Sequence, residues 1–500
     1  MSRSVSGRVA TTVLVLSLLG ASAVLADQAA LWTRNYDGDG HFNDWALSVA
    51  LSGDNVYSSG FLEDAAGFDN GAFFIHRKDG TKLFEATFDG YGQDDEFRVV
   101  RIDGNGDVFV FGYAQRTDGT LEGVLQKRNP AGALLFERRL PPPAGYDSFD
   151  PRGMYVGSGT VYVVGTVTDP SGNQAIYVSA APAGDNTSPL LWERILLGSL
   201  AGPVSGSNQG RLIAGDGTLL YLGGKVRNPA DTGDAIYVAR LDSSTGATAW
   251  DNATENPNGD VTYSRLSATG NDVLLSGGVA EADGTQSVVL SCREGITGAL
   301  KWNVTIPAVS VSLISKPAPF VVSGSTVYLG ASLDNGFLFL GAYRLANGSQ
   351  LWSWTGGVDG QESIPVSVLF DGTRVAVAGG YPPDALTPPS AGVLYFDPAG
   401  NFLQKVLVPK MPGSAGSDLV LAAAADNTGN VFLAGSIQAP PNGGDYLVAR
   451  FGTGPSGGGG GGGCLSVAPC TGSTFAAWNW LIFLAIPVVL LARNLFRGRR

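Results

Sequence analysis

The chain has 500 residues, 44 of them acidic and 32 basic, for a formal charge of −12, with 44% hydrophobic residues, two histidines and three cysteines. An acidic surface of this kind excludes nucleic acid and anionic lipid as electrostatic partners. Three cysteines cannot build a disulfide framework for a chain of this length, and any Ser-His-Asp triad would have to use His41 or His76, neither of which sits beside a G-x-S-x-G motif.

Residues 1–26 have the layout of a secretory signal peptide: Arg3 and Arg8, an apolar stretch from Val13 to Leu25, and Val24 and Ala26 before Asp27. Cleavage is expected after Ala26. The body that follows, residues 27–452, holds all 44 acidic residues, whereas six of the 32 basic residues lie outside it. It is too long for one ordinary core unless that core is built by repetition.

Repetition is present. A phrase centred on an aromatic or leucine residue returns as ALWTRNY (Trp32), KLFEATF (Phe84), LLFERRL (Phe136), LLWERIL (Trp192), TAWDNAT (Trp250), LKWNVTI (Trp302), QLWSWTG (Trp352) and NFLQKVL (Leu403), at intervals of 52, 52, 56, 58, 52, 50 and 51 residues. Each unit is one supersecondary element that buries its apolar face only against its neighbours. Within a unit, four short runs of β-branched and aromatic residues are separated by Gly, Asn and Asp clusters: DWALSVALSG, NVYSSG, GAFFIHRKDG and TKLFEATF in the first. Helical periodicity is absent from the body. Four strands in each of eight units predict an all-β fold, an eight-bladed β-propeller of four-stranded antiparallel blades.

The eighth unit, NVFLAG followed by DYLVARFGTG, has no Trp strand of its own, while the chain opens with an orphan one, ALWTRNY. The orphan is expected to complete the last blade, closing the ring through the N-terminal strand and leaving no long open edge. Trp32, Trp192, Trp250, Trp302 and Trp352 are expected to dock blade against blade as buried aromatics at repeat spacing. Cys292, alone in the body, reads as a small hydrophobe within a strand.

The loops are unequal. Connections between first and second strands and between third and fourth are tight, whereas stretches such as Phe61 to Gly71, Leu197 to Asn208 and Tyr381 to Ala391 are long. Alternate connections of an antiparallel blade emerge on the same face, so the long loops crowd one rim, where binding sites sit on rigid scaffolds. On that rim a carboxylate precedes the innermost strand in six of eight units: Asp44, Asp95, Asp147, Asp260, Glu362 and Asp418. They could form a broken acidic ring able to bind a cation or ligand, or accept hydrogen bonds from turn amides. Asp37, Asp39 and Asn43, in YDGDGHFND, read first as a solvated turn and, as the weaker alternative, as a second metal group, incomplete as an EF-hand. No cofactor is predicted; calcium is the one these groups could hold.

After the body come a Gly-rich linker, 453–474, with seven consecutive glycines and then Cys464 and Cys470; an apolar run, 475–492, long enough to predict a transmembrane helix; and a basic tail, 493–500, with Arg493, Arg497, Arg499 and Arg500. The arginines mark the cytoplasmic side and leave the body outside the membrane. This arrangement resembles the tripartite C-terminal sorting signals of Gram-negative surface proteins, of the glycine type because no Pro-Glu-Pro motif is present. The resemblance implies a sorting protease as a partner and a tail removed during export; a permanent single-pass anchor is the alternative. Cys464 is then a processing or lipidation candidate, with a local disulfide to Cys470 as the other option.

The phrases YVARLDSSTGATAW, CREGITGALKW and YRLANGSQLW resemble the pyrroloquinoline-quinone-type propeller repeat, and FDGYGQDDEFRVVRIDGNGDVFVFG resembles bacterial surface propeller repeats. The first resemblance implies a quinoprotein dehydrogenase, a family with a vicinal cysteine disulfide over its cofactor and an acidic calcium site; this chain has no adjacent cysteines. Fold alone does not confer activity. The sequence therefore reads as a non-enzymatic binding or interaction module at the cell surface or envelope, meeting a protein, polysaccharide or small ligand on its long-loop rim. The alternatives are the dehydrogenase, or a carboxylate-based hydrolase or lyase on the same rim.

Overall fold

The computed structural model describes residues 28–452, except 158, 197–207, 216–217, 228–232, 256–260, 282–284, 309–317, 334, 358–360 and 441–442. The segments expected to be a signal peptide, linker, transmembrane helix and basic tail, with Cys464 and Cys470, lie outside the described residues, as does Asp260. Within them the regular structure is β throughout, arranged as eight sheets each built on four antiparallel strands, consecutive in the chain in seven of them, an eight-bladed propeller.

Blade 1 runs Trp45–Ser52, Asn55–Glu63, Asp69–Arg77 and Lys82–Phe88, and blade 2 Asp95–Ile102, Val108–Gln115, Leu121–Arg128 and Leu134–Leu140. The first strands of blades 3, 4, 5, 6, 7 and 8 are Ser148–Val156, Gln209–Gly215, Val261–Thr269, Phe320–Ser323, Ile364–Phe370 and Leu419–Ala425. First strands of neighbouring blades approach one another around the ring and line its axis.

Burial explains the composition of each strand. The middle strands are sandwiched between blades, so Val108–Gln115, Val375–Tyr381 and Ser390–Phe396 are buried at every position and read as continuous apolar runs. Outer strands such as Lys82–Phe88 and Gln350–Gly356 alternate between exposed and half-buried positions. Blades are joined by shared apolar clusters. One packs Tyr57, Phe73 and Ile75 of blade 1 against Phe97, Val108 and Val110 of blade 2, each buried aromatic contributing about 1.5–3 kcal/mol. Cys292 is buried in such a cluster between blades 5 and 6, and burial pushes its thiol up to about 12.

The ring closes as expected. Trp32–Tyr36 pairs antiparallel with Gly443–Gly452, from Trp32 opposite Arg450 to Tyr36 opposite Tyr446, and is the outer strand of blade 8. A cluster of Val56 and Phe74 with Phe432 and Val448 seals blade 1 to blade 8. One further pairing has no signal in the repeat: Gln28–Ala29 adds in parallel to Phe402–Leu407, making a fifth strand on blade 7.

In seven blades the first strand carries a β-bulge, between Ala46 and Ser48 in blade 1, Phe97 and Val99 in blade 2, and equivalent places in blades 3, 4, 5, 7 and 8. The bulge accounts for the glycine in phrases such as NVYSSG and DVFVFG. A Cβ on Gly60 would lie 1.8 Å from the Trp45 carbonyl oxygen, and one on Gly112 would lie 1.7 Å from that of Glu96. Only glycine lets the bulged strand come this close.

Candidate functional site

Register relates the rim carboxylates to one another better than sequence spacing does. The position two residues before the bulge is Asp44 in blade 1, Asp95 in blade 2 and Asp418 in blade 8; in blades 3, 4, 5 and 7 it is Phe149, Asn208, Val261 and Ser363. Asp44 is fully buried and accepts hydrogen bonds from the Gly38 and Glu63 amides, both at 2.7 Å. Asp95, also buried, accepts from the Gly90 amide and, at 3.1 Å, from that of Gln115. Asp418 accepts from the Gln438 amide at 3.1 Å and pairs with Lys410 at 3.1 Å. Asn208 does the same work in blade 4, accepting from the Arg227 amide at 2.8 Å. These groups tie the entry of the first strand to the end of the second.

Burial raises the Asp44 carboxyl to about 6 and the Asp95 carboxyl to about 7, in each case against the pull of the amides. Burial also raises Asp418, with Lys410 opposing it. Asp147 is exposed and Glu362 half-buried, each off the equivalent position.

Of the loop Asp37, Asp39 and Asn43, only Asp37 joins a cluster. Asp37, Asp44 and Asp445 bring carboxylate oxygens within 4.8 Å of one another, the one such group among the described residues. Asp39 and Asn43 are exposed, and Asn43 instead bridges in parallel to Gly444. The cluster sits at the closure seam. Asp445 accepts from Asn35 Nδ2 at 2.7 Å, and Asp37 pairs with His41, which holds φ at 57°. The other histidine, His76, is buried and shares a 2.6 Å hydrogen bond with the Tyr36 hydroxyl; burial lowers it to about 4, so it stays neutral.

The five tryptophans occupy outer strands and reach the next blade. Trp32 Nε1 donates to the Lys78 carbonyl at 2.8 Å, Trp192 to Ser243 at 2.9 Å, Trp250 to Gly295 at 2.9 Å, Trp302 to Leu345 at 2.7 Å and Trp352 to Pro398 at 3.0 Å.

The channel wall holds residues that sequence reasoning missed. The extra residue of the bulge is Arg98 in blade 2, Arg152 in blade 3 and Arg211 in blade 4; Arg265 follows the bulge in blade 5, and Arg101 lies three residues after Arg98. Arg98 pairs with Glu96 at 2.7 Å and with Asp150, and stands 4.6 Å from the Tyr113 ring centre. Arg152 pairs with Asp150 at 2.5 Å. Burial opposes the charge of Asp150, but Arg152 and Arg98 outweigh it and hold its carboxyl below the ordinary range. Arg211 lies over the Tyr263 ring at 5.8 Å, and the Tyr263 hydroxyl donates to Gln209 at 3.3 Å. Arg101 donates to the Val100 carbonyl at 2.8 Å. Aligning EFRVVRI, DPRGM, GRLIAG and YSRLS on the bulge would have revealed this row of arginines.

No family model matches the chain, and no curated protein matches it in sequence. Its structure is similar to a quinohemoprotein alcohol dehydrogenase from Comamonas testosteroni, at 12% identity over 90% of this chain and 79% of that one, with a TM-score of 0.49. A europium-containing methanol dehydrogenase (10% identity, 85% of this chain and 93% of that one) and the Dos1 propeller (10%, 85% and 95%) have the same TM-score of 0.49. At these identities and TM-scores the likeness carries no statement about activity.

Proposed function

We propose that the protein is a non-enzymatic binding module, an exported propeller at the cell surface or envelope that meets its ligand or partner on the long-loop rim. The observation that carries this reading is the direction in which the chain leaves the ring. The third strand of blade 8, Gly443–Gly452, runs towards the tight-turn rim, so the described chain ends, at Gly452, on the face opposite the loops that join one blade to the next. A body tethered there presents the long loops away from the membrane. The roles of the rim carboxylates also support binding over acid-base chemistry, since Asp44, Asp95 and Asp418 are committed to backbone amides of their own or adjoining segments. Calcium is the cofactor this reading admits, at Asp37, Asp44 and Asp445.

The test is incubation of the purified protein with pyrroloquinoline quinone and calcium. Absence of alcohol-dependent dye reduction is expected. Stoichiometric quinone binding accompanied by dye reduction would overturn this reading in favour of a dehydrogenase.

A further inference from the structure

The body is strongly acidic, yet one half of its channel wall is cationic. Arg98, Arg101, Arg152, Arg211 and Arg265 project from four consecutive first strands. In blades 7, 8 and 1, across the axis, the bulge places Val366, Leu421 and Leu47 instead. Glu96 and Asp150 neutralise Arg98 and Arg152. Arg101, Arg211 and Arg265 form no ion pair among the described residues.

We propose that this wall is a binding site for a small oxyanion carrying two or more negative charges, a polycarboxylate or a phosphate, held by Arg101, Arg211 and Arg265. Guanidinium groups offer planar pairs of donors that match carboxylate and phosphate oxygens. Arg101 is exposed in area although it stands in a channel wall, and apart from the bond to the Val100 carbonyl its donors face the lumen open to a ligand. Burial, with Arg265 adding repulsion, lowers Arg101 to about 10, and burial lowers Arg265 as well. Both nevertheless stay charged at neutral pH. Arg101 and Arg265 are like charges held together with no carboxylate among the described residues acting on either, whereas Asp150 also acts on Arg211; such an arrangement costs stability and is expected where function requires it. Size follows from the surrounding field: a polyanionic macromolecule is repelled by the acidic body, whereas a small anion can reach a local cationic wall. The site lies in the channel, apart from the rim loops, and stands whether or not the rim has a partner.

The test is calorimetric titration of the full-length protein with citrate and with inorganic phosphate, ionic strength matched with sodium chloride and acetate as the monovalent control. Saturable binding of citrate or phosphate is expected, with acetate at least about tenfold weaker. Arg101→Gln and Arg265→Gln should each weaken binding about tenfold or more. Lys82→Gln, on the outer strand of blade 1, should leave binding unchanged. Arg265→Gln should also melt no lower than the parent without ligand, since it relieves repulsion. Should Arg265→Gln fail to fold, Arg101→Gln provides the same measurement from an exposed side chain. Absence of saturable binding, or binding that survives both arginine substitutions, would overturn the proposal.

Discussion

Gly298 of blade 5 lies on the indole of Trp250 of blade 4, so closely that a Cβ on the glycine would come within 2.7 Å of the ring. The indole Nε1 donates to Gly295 of the same turn, so one glycine turn both caps and anchors the ring. The pattern recurs with Gly80 on Trp32, Gly246 on Trp192, Gly348 on Trp302 and Gly400 on Trp352. These glycines hold φ between 68° and 94°. Each tryptophan thus reads the backbone of the next blade, and the repeat interval fixes the distance between the two halves of the contact.

Gly298→Ala should therefore destabilise the ring twice over, by left-handed backbone strain and by displacement of the indole, for a total of about 2–4 kcal/mol. Trp250→Phe keeps most of the packing and loses the 2.9 Å hydrogen bond, a smaller loss of about 1 kcal/mol. Chemical denaturation of the two variants should rank them in that order, and equal stabilities would contradict the stacking argument.

Deleting residues 27–37 should unfold more than a terminus. The deletion removes the outer strand of blade 8 and the strand added to blade 7, together with the Trp32 hydrogen bond to Lys78 of blade 1. Arg450 Nη1 donates to the same Lys78 carbonyl at 2.8 Å, so that carbonyl keeps one of its two donors while the seam loses a whole sheet edge, the Arg34 bond to Gly80 and the Tyr36 bond to His76. A single cooperative melt at clearly lower temperature is expected by calorimetry. An unchanged melting temperature would refute closure by this strand.

How much of this was legible in sequence can be judged from particular residues. The orphan phrase at Trp32 announced the closure because a blade lacking its fourth strand cannot leave an open edge. The blade count followed from the Trp and Leu interval, a period imposed by packing. Asp95 and Asp418 were visible too, but their equivalence to Asn208, and the displacement of Asp147 and Glu362, depend on where the bulge falls. A bulge shifts register by one residue without changing composition. For the same reason Arg98, Arg152 and Arg211 stayed hidden: alternation assigns a side chain to a face, and the extra residue resets the alternation. Asp445 lies about four hundred residues from Asp37 in sequence, and only the closed ring brings the two together.

The buried rim carboxylates predict an unusual dependence of stability on pH. The Asp44 and Asp95 carboxyls sit at about 6 and about 7 in the folded protein, above the ordinary value of 3.8. Between those limits the folded state binds more protons than the unfolded one, so stability falls as pH rises. Their contribution is fully present below about pH 4 and is lost by the time pH passes about 7. Thermal melts from pH 4.5 to 8 should show this decline over a background set by the other groups. In Asp95→Asn the decline should flatten, because the amide keeps an acceptor for Gln115 without a titrating charge. A decline as steep as the parent's would show that Asp95 ionises at its ordinary value.

The last prediction concerns export. If the segment after Gly452 is a sorting signal, mature protein should lack the residues from about 475 onward and should be found at the cell surface or in the medium. On that reading Arg493, Arg497, Arg499 and Arg500 would retain the tail on the cytoplasmic side while it is intact, so their presence or absence reports which fate the chain has met. Intact-mass spectrometry of the accumulated protein reads this directly, and an intact Arg500 would establish a permanent anchor. Cys464→Ser separates the roles of the cysteine. Loss of processing in that variant would assign Cys464 to the cleavage or lipidation step. Normal processing, with Cys470 left as a reactive thiol in the variant alone, would assign the pair to a local disulfide formed in the oxidising exported compartment.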